Sequence, residues 1–105
     1  MGAGRALHEA AHRRLRFALG RFQRRIDGVR VRLHDINGPR GGVDQECQVS
    51  VRLARPSGLV VIEERDADPH AALARAADRA ARAVGRLVEQ ARWGRAPRGM
   101  QEVLS

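Results

Sequence analysis

What most constrains this chain is a change of hydrophobic period, from near 3.6 to 2 and back again, within 105 residues. Over residues 5–25, Leu7, Ala11, Leu15, Ala18, Leu19 and Phe22 recur at three- and four-residue steps. At about 100° per residue they form one stripe of an amphipathic helix, and Gly28 breaks the pattern. Over residues 26–35 the period is two: Val29, Val31 and Leu33 face one way and Arg30, Arg32 and His34 the other, as in a half-buried strand. Residues 46–54 alternate in the same way, with Cys47, Val49, Val51 and Leu53 on the apolar side, and residues 59–64 give a third strand. The turn formers Asn37-Gly38-Pro39-Arg40-Gly41-Gly42 make a long, mobile connection with Arg40 near its tip, and Arg55-Pro56-Ser57-Gly58 makes the next turn. Asp68 followed by Pro69 is a helix start, because the carboxylate can cap free amides and proline at the first position loses no hydrogen bond. That helix is expected to run from about residue 69 to about residue 93, ending near Gly94, with Leu73, Ala76, Ala77, Ala80, Val84, Leu87 and Ala91 inward.

The expectation is therefore an α+β domain of order α-β-β-β-α, an antiparallel sheet of three strands with both helices on one face. Composition supports a thin core. Alanine supplies 17 of the 45 hydrophobic residues and there are only three aromatics. One domain is expected over residues 1–94, with 95–105 as a flexible tail of glycine and proline. No apolar run approaches the roughly 20 residues of a membrane span, and no secretory signal opens the chain. The single cysteine, Cys47, fits a reducing, cytoplasmic setting and an inward, small core position.

Charge says most about partners. Twenty arginines and no lysine stand against 12 acidic residues, a net +8. Guanidinium forks pair bidentately with phosphate, so the expected partner is a nucleic acid, with no membrane contact. On the second helix Arg75, Arg79, Arg82 and Arg86 lie within about 60° of arc. Like charges at these spacings repel, so helix stability alone gives no reason for the row; either it contacts nucleic acid or it is a solvated face. Trp93 shares its sector and either stacks on a base or caps the helix end against the core. On the first helix Arg13, Arg14, Arg21 and Arg24 surround Phe17, which lies off the apolar stripe. Phe17 stacks on a base or touches a loop or a neighbouring subunit. With both helices on one sheet face, the two arginine sets would border one groove.

Certain segments are more specific. Arg25-Ile26-Asp27-Gly28-Val29, the run Asp35-Ile36-Asn37-Gly38-Pro39-Arg40-Gly41-Gly42-Val43-Asp44, Cys47, Val49-Ser50-Val51-Arg52-Leu53, and the helix from Ala71-Ala72-Leu73 to Asp78-Arg79 together resemble the ribosome hibernation-promoting factor family. This family is also called ribosome-associated inhibitor, subunit interface or sigma-54 modulation protein. The similarity covers roughly residues 7–92. It implies a domain that binds the small ribosomal subunit between head and body, overlaps messenger and transfer RNA sites, and silences translation in stress or stationary phase. Basic residues on the two helices contact ribosomal RNA in the family; Arg79, Arg82 and Arg86 match them, and Arg14 and Arg21 match more loosely. With Arg75 from the same row, these six arginines are the expected RNA-binding set. The family has a strand before its first helix, and only Met1-Gly2-Ala3-Gly4 stand there. The sheet is then expected to have an open edge at the first strand, available to a second copy. No C-terminal dimerisation domain is visible, so the resemblance is to the short type.

Two other readings compete. The element order is also that of a double-stranded RNA-binding domain acting on other RNA, although the lysine-rich start of its second helix is missing. His8-Glu9-Ala10-Ala11-His12 satisfies H-E-x-x-H, which places two imidazoles a turn apart for zinc. The extended form would need glycine at Leu15 and histidine at Ala18, and His8 lies near the apolar stripe, so a partly buried histidine is expected and no metal. His34, Asp35 and Asp44 are read as a polar cluster anchoring the loop. No phosphate loop follows a strand, and no cofactor or enzymatic activity is expected.

Overall fold

A computed structural model describes residues 2–35 and 45–92. Its elements are α1 (Gly2–Leu19), a 3₁₀ segment (Gly20–Arg25), β1 (Ile26–Asp35), β2 (Gln45–Ala54), β3 (Ser57–Asp66) and α2 (Pro69–Arg92). The order is α-β-β-β-α, as the periods require, with an antiparallel sheet in the order β1-β2-β3. The expectations for Asn37–Gly42, Asp44, Trp93 and the tail fall outside the described residues.

The first helical stripe is one α-helix only as far as Leu19. The backbone tightens at Gly20, whose missing Cβ makes it a poor helix former, and a 3₁₀ segment carries Phe22 into the core before β1 begins. The register of β1 on β2 shifts between Ile26 and Gly28, so Gly28 sits at an irregularity inside the strand. From there the pairing is regular: Val29 opposite Val51, Val31 opposite Val49 and Leu33 opposite Cys47. On the other side Val51 faces Val60 and Val49 faces Ile62. All of these side chains therefore share one face. The second hairpin is tighter than expected: Ala54 pairs with Ser57, leaving only Arg55 and Pro56, joined by a cis peptide bond, in the turn.

The helices cover that face over β2 and β3, whereas β1 is at most half-buried and Val29 stays exposed. Ala11, Leu15, Leu19 and Phe22 join Cys47, Val49, Val51, Leu53, Val60, Ile62 and the α2 residues Ala72, Leu73, Ala76, Ala77, Ala80, Val84 and Val88 in one buried cluster. Alanine at four of these α2 positions removes side-chain bulk and lets the helix axis lie close to β2 and β3. The stripe differs from expectation at its ends. Leu87 is only half-buried beside Gly58 and Ala91 is exposed, whereas Val88 turns inward next to Phe22. Ala72 is buried as well. The covered sector is thus wider than a single row because α2 meets the sheet on one flank and α1 on the other.

The helix start follows the sequence closely. Asp68 Oδ1 accepts from the His70 amide at 2.9 Å, and the Asp68 carbonyl accepts from the amides of Ala71 and Ala72, both at 3.1 Å. Cys47 has no accessible surface, and burial together with the nearby Glu64 carboxylate pushes its thiol up to about 11. It is an inert core residue at neutral pH. His8, by contrast, is exposed and not partly buried. Leu7 takes the partly buried place against the core at this end of α1, and the contact with α2 is made further along, where Ala10 lies beside His70 and Leu73, so His8 stays outside both.

Candidate nucleic-acid interface

α1 and α2 run side by side in the same direction, Ala10 beside Leu73, Ala18 beside Ala81 and Phe22 beside Gly85. Between their outer surfaces lies an open groove of about 740 Å³, lined by Arg13, Arg14 and Phe17 from α1 and by Asp78 and Arg82 from α2. A second depression of about 270 Å³ continues it past Arg21, Arg82, Gly85, Glu89 and Arg92. Of the two arginine sets expected to border one groove, Arg13, Arg14 and Arg21 of the first and only Arg82 of the second line its two parts. Phe17 is 90% exposed on its wall. Its place follows from the heptad geometry: it is two residues from Leu15 and two from Leu19, which puts it on the opposite side from the core. Arg21 lies over the Phe22 ring at 5.0 Å from the centroid, a cation–π contact that holds the guanidinium at the groove.

The row of four arginines on α2 is divided by the structure. Arg75 donates from Nε to Glu64 (3.0 Å), from Nη1 to Asp66 (3.0 Å) and from Nη2 to the Arg65 carbonyl (2.7 Å). Arg79 donates to the Glu63 carbonyl at 3.2 Å and to the Glu64 carboxylate. These two side chains tie α2 to the end of β3, although each keeps about half of its surface in solvent: 47% for Arg75 and 48% for Arg79. Arg82 and Arg86 make no ion pair among the described residues. Arg82 leans to the inter-helix groove, and with Arg86 it borders a further depression beside Glu89 and Gln90.

Glu64 and Asp66 were not singled out by sequence reasoning. The signal was nevertheless there, since the inward alternation Val60, Ile62 continues into Glu64 and Asp66 and so puts two carboxylates beneath the covering helix. Hydrogen bonds from Arg79 and Arg75 hold the Glu64 carboxyl below its ordinary range; the Asp68 amide, then Arg75, do the same for Asp66. His34 pairs with a residue that sequence reasoning did not name: directly opposite it in the ladder is Glu46, at 2.8 Å, with Arg65 on the same carboxylate at 3.6 Å.

Among the described residues no three His, Cys, Asp or Glu side chains gather as a metal site, and no helix is long and apolar enough to cross a membrane. Fold and surface together define a basic two-layer α+β domain whose helices carry an arginine-lined groove. The family model for sigma 54 modulation protein / S30EA ribosomal protein matches residues 1–92, and the chain belongs to that ribosome-associated family. The N-terminal domain of Thermus thermophilus Protein Y, known from a crystal structure, is similar at 35% identity and a TM-score of 0.52, over 71% of this chain and 79% of that one. No curated protein matches the sequence.

Proposed function

We propose that the domain binds the small ribosomal subunit through ribosomal RNA at the messenger and transfer RNA channel, and that it silences translation there during stress or stationary phase in the cytoplasm. The observation that carries this reading is the inter-helix groove. Arg13, Arg14, Arg21 and Arg82 line its two parts with no ion pair among the described residues, and Phe17 stands exposed between them. Uncommitted guanidinium groups around an exposed ring match a strand that offers phosphates at its backbone and bases for stacking. Arg86 extends the surface, while Arg75 and Arg79 contribute through the half of each side chain left open to solvent. The domain acts by occupying the channel and carries out no reaction.

Purified protein sedimented with small subunits through a sucrose gradient tests the reading. The wild type travels with the subunit, and the Arg14→Ala/Arg21→Ala/Arg82→Ala variant stays at the top while remaining folded by circular dichroism. Unchanged co-sedimentation of that variant contradicts the groove assignment.

Pairing of two copies at β1 is part of the same proposal. Among the described residues no strand lies beyond β1, so its outer amides and carbonyls are open to another strand. Antiparallel pairing about Val31 sets Arg30 of each copy against Arg32 of the other, which opposes association until salt screens it. Light scattering is expected to show mass rising with ionic strength. A mass that falls or does not change with salt contradicts this edge contact.

A further inference from the structure

The sheet has a second broad face, turned away from both helices, and no described element covers it. Cross-strand rows on this face can be read from the register: Gly28, Arg52 and Leu59; Arg30, Ser50 and Val61; Arg32, Gln48 and Glu63; His34, Glu46 and Arg65. Its acidic groups are already engaged at one end. Glu46 is taken by His34 and Arg65, and Glu63 accepts from Gln48 Nε2 at 3.0 Å. At the other end Arg30 and Arg52 make no ion pair or hydrogen bond among the described residues, and neither faces a carboxylate across the ladder. Between them is a depression of about 320 Å³ lined by Gly28, Val29, Arg30, Ser50, Arg52 and Leu59. The space over Gly28 is open, since a Cβ built there would meet nothing within 4 Å.

We propose that this face is a second RNA-binding surface, on which Arg30 and Arg52 grip the phosphates of a strand distinct from the one in the inter-helix groove. Two guanidinium forks flanking a hydroxyl-bearing depression without a carboxylate suit a phosphodiester, whose oxygens take bidentate donors. A protein partner on the same spot would need more apolar surface than Leu59 and Val61 supply, together with carboxylates to meet the arginines. Arg32 in the neighbouring row extends the positive strip along β1. The Cα framework is only 16 Å across its shortest axis. A slab this thin, basic on both broad faces, lies between two RNA segments and holds them together.

Native mass spectrometry of the full chain with an oligouridylate of about six nucleotides counts the sites directly. Wild type takes up two oligomers. Arg30→Gln/Arg52→Gln takes up one, Arg14→Gln/Arg82→Gln also takes up one, and the fourfold variant takes up none. Glutamine keeps the side-chain stem and the strand position, and circular dichroism verifies the fold. Loss of two phosphate contacts on the sheet flattens the salt dependence of the second binding step by about 1.4 in log–log slope. Wild type saturating at one oligomer, or two oligomers still bound by Arg30→Gln/Arg52→Gln, overturns the proposal. Two oligomers retained by Arg14→Gln/Arg82→Gln would instead overturn the groove reading and leave the sheet surface standing.

Discussion

Glu64 shows how one side chain can decide what its neighbours are free to do. It lies on the inward side of β3, past the last apolar residue of that face, and accepts from both Arg75 and Arg79. Its carboxyl is held below the ordinary value of 4.5, so the folded state binds the proton more weakly than the unfolded chain does. The stabilisation is present above that ordinary value and disappears as pH falls through the lower folded value. Urea midpoints of wild type and Glu64→Gln should therefore differ at about pH 7, with wild type the more stable, and converge on acidification to about pH 3. A gap that stays constant over that range contradicts the ion-pair account. The same residue explains what the sequence left unreadable. Arg75, Arg79, Arg82 and Arg86 are equivalent in helical angle, and only the partner beneath them separates the two that clamp β3 from the two that do not. Reading the alternation Val60, Ile62, Glu64, Asp66 to its end would have indicated the clamp, whereas a third strand closed at residue 64 hides half of it.

At the scale of elements, periodicity was informative where an element has one covered face and less so where it has two. α1 follows its stripe because it meets the core from one side. α2 is covered on two flanks, which is why Ala72 and Val88 are buried alongside the expected positions while Ala91 is exposed. Loop chemistry at Asp68-Pro69 placed the helix start to the residue, since a cap is a local arrangement. Gly85 of α2 faces the ring of Phe22 from the 3₁₀ segment: a Cβ there would lie 3.4 Å from Phe22 Cζ, an ordinary contact. Glycine within a helix costs up to about 1 kcal/mol relative to alanine. Gly85→Ala is accordingly expected to stabilise the fold by about 0.5–1 kcal/mol in chemical denaturation, with the groove arginines untouched. Destabilisation would show that the Phe22 ring has no room to accommodate the methyl group.

At the scale of the whole molecule, the family was legible because several short and specific segments between Arg25 and Arg79 agree at once, which no single motif or composition does. The likeness to the Thermus thermophilus domain extends over 71% of the chain. The distribution of charge needed the structure. Two layers with a thin alanine-rich interior leave most of the 20 arginines on surfaces, and the carboxylates concentrate at the end of β3 and along the His34–Glu46–Arg65 row. A net positive charge is thereby left in the inter-helix groove, where arginines outnumber Asp78 and Glu89, and at the open end of the sheet. Charge alone, without this division, would assign every arginine of the α2 row equally to RNA.

The salt dependence of small-subunit binding tests that division most directly. If Arg14, Arg21, Arg82 and Arg86 each meet a phosphate, log affinity falls with log salt at a slope of about −3 to −4. Replacing Arg82 and Arg86 with alanine should flatten the slope by about 1.5–2 and leave thermal stability unchanged. Replacing Arg75 and Arg79 should lower the melting temperature and change the slope by less than half as much. The opposite pattern, a slope that responds to Arg75 and Arg79 and is indifferent to Arg82 and Arg86, would contradict the account.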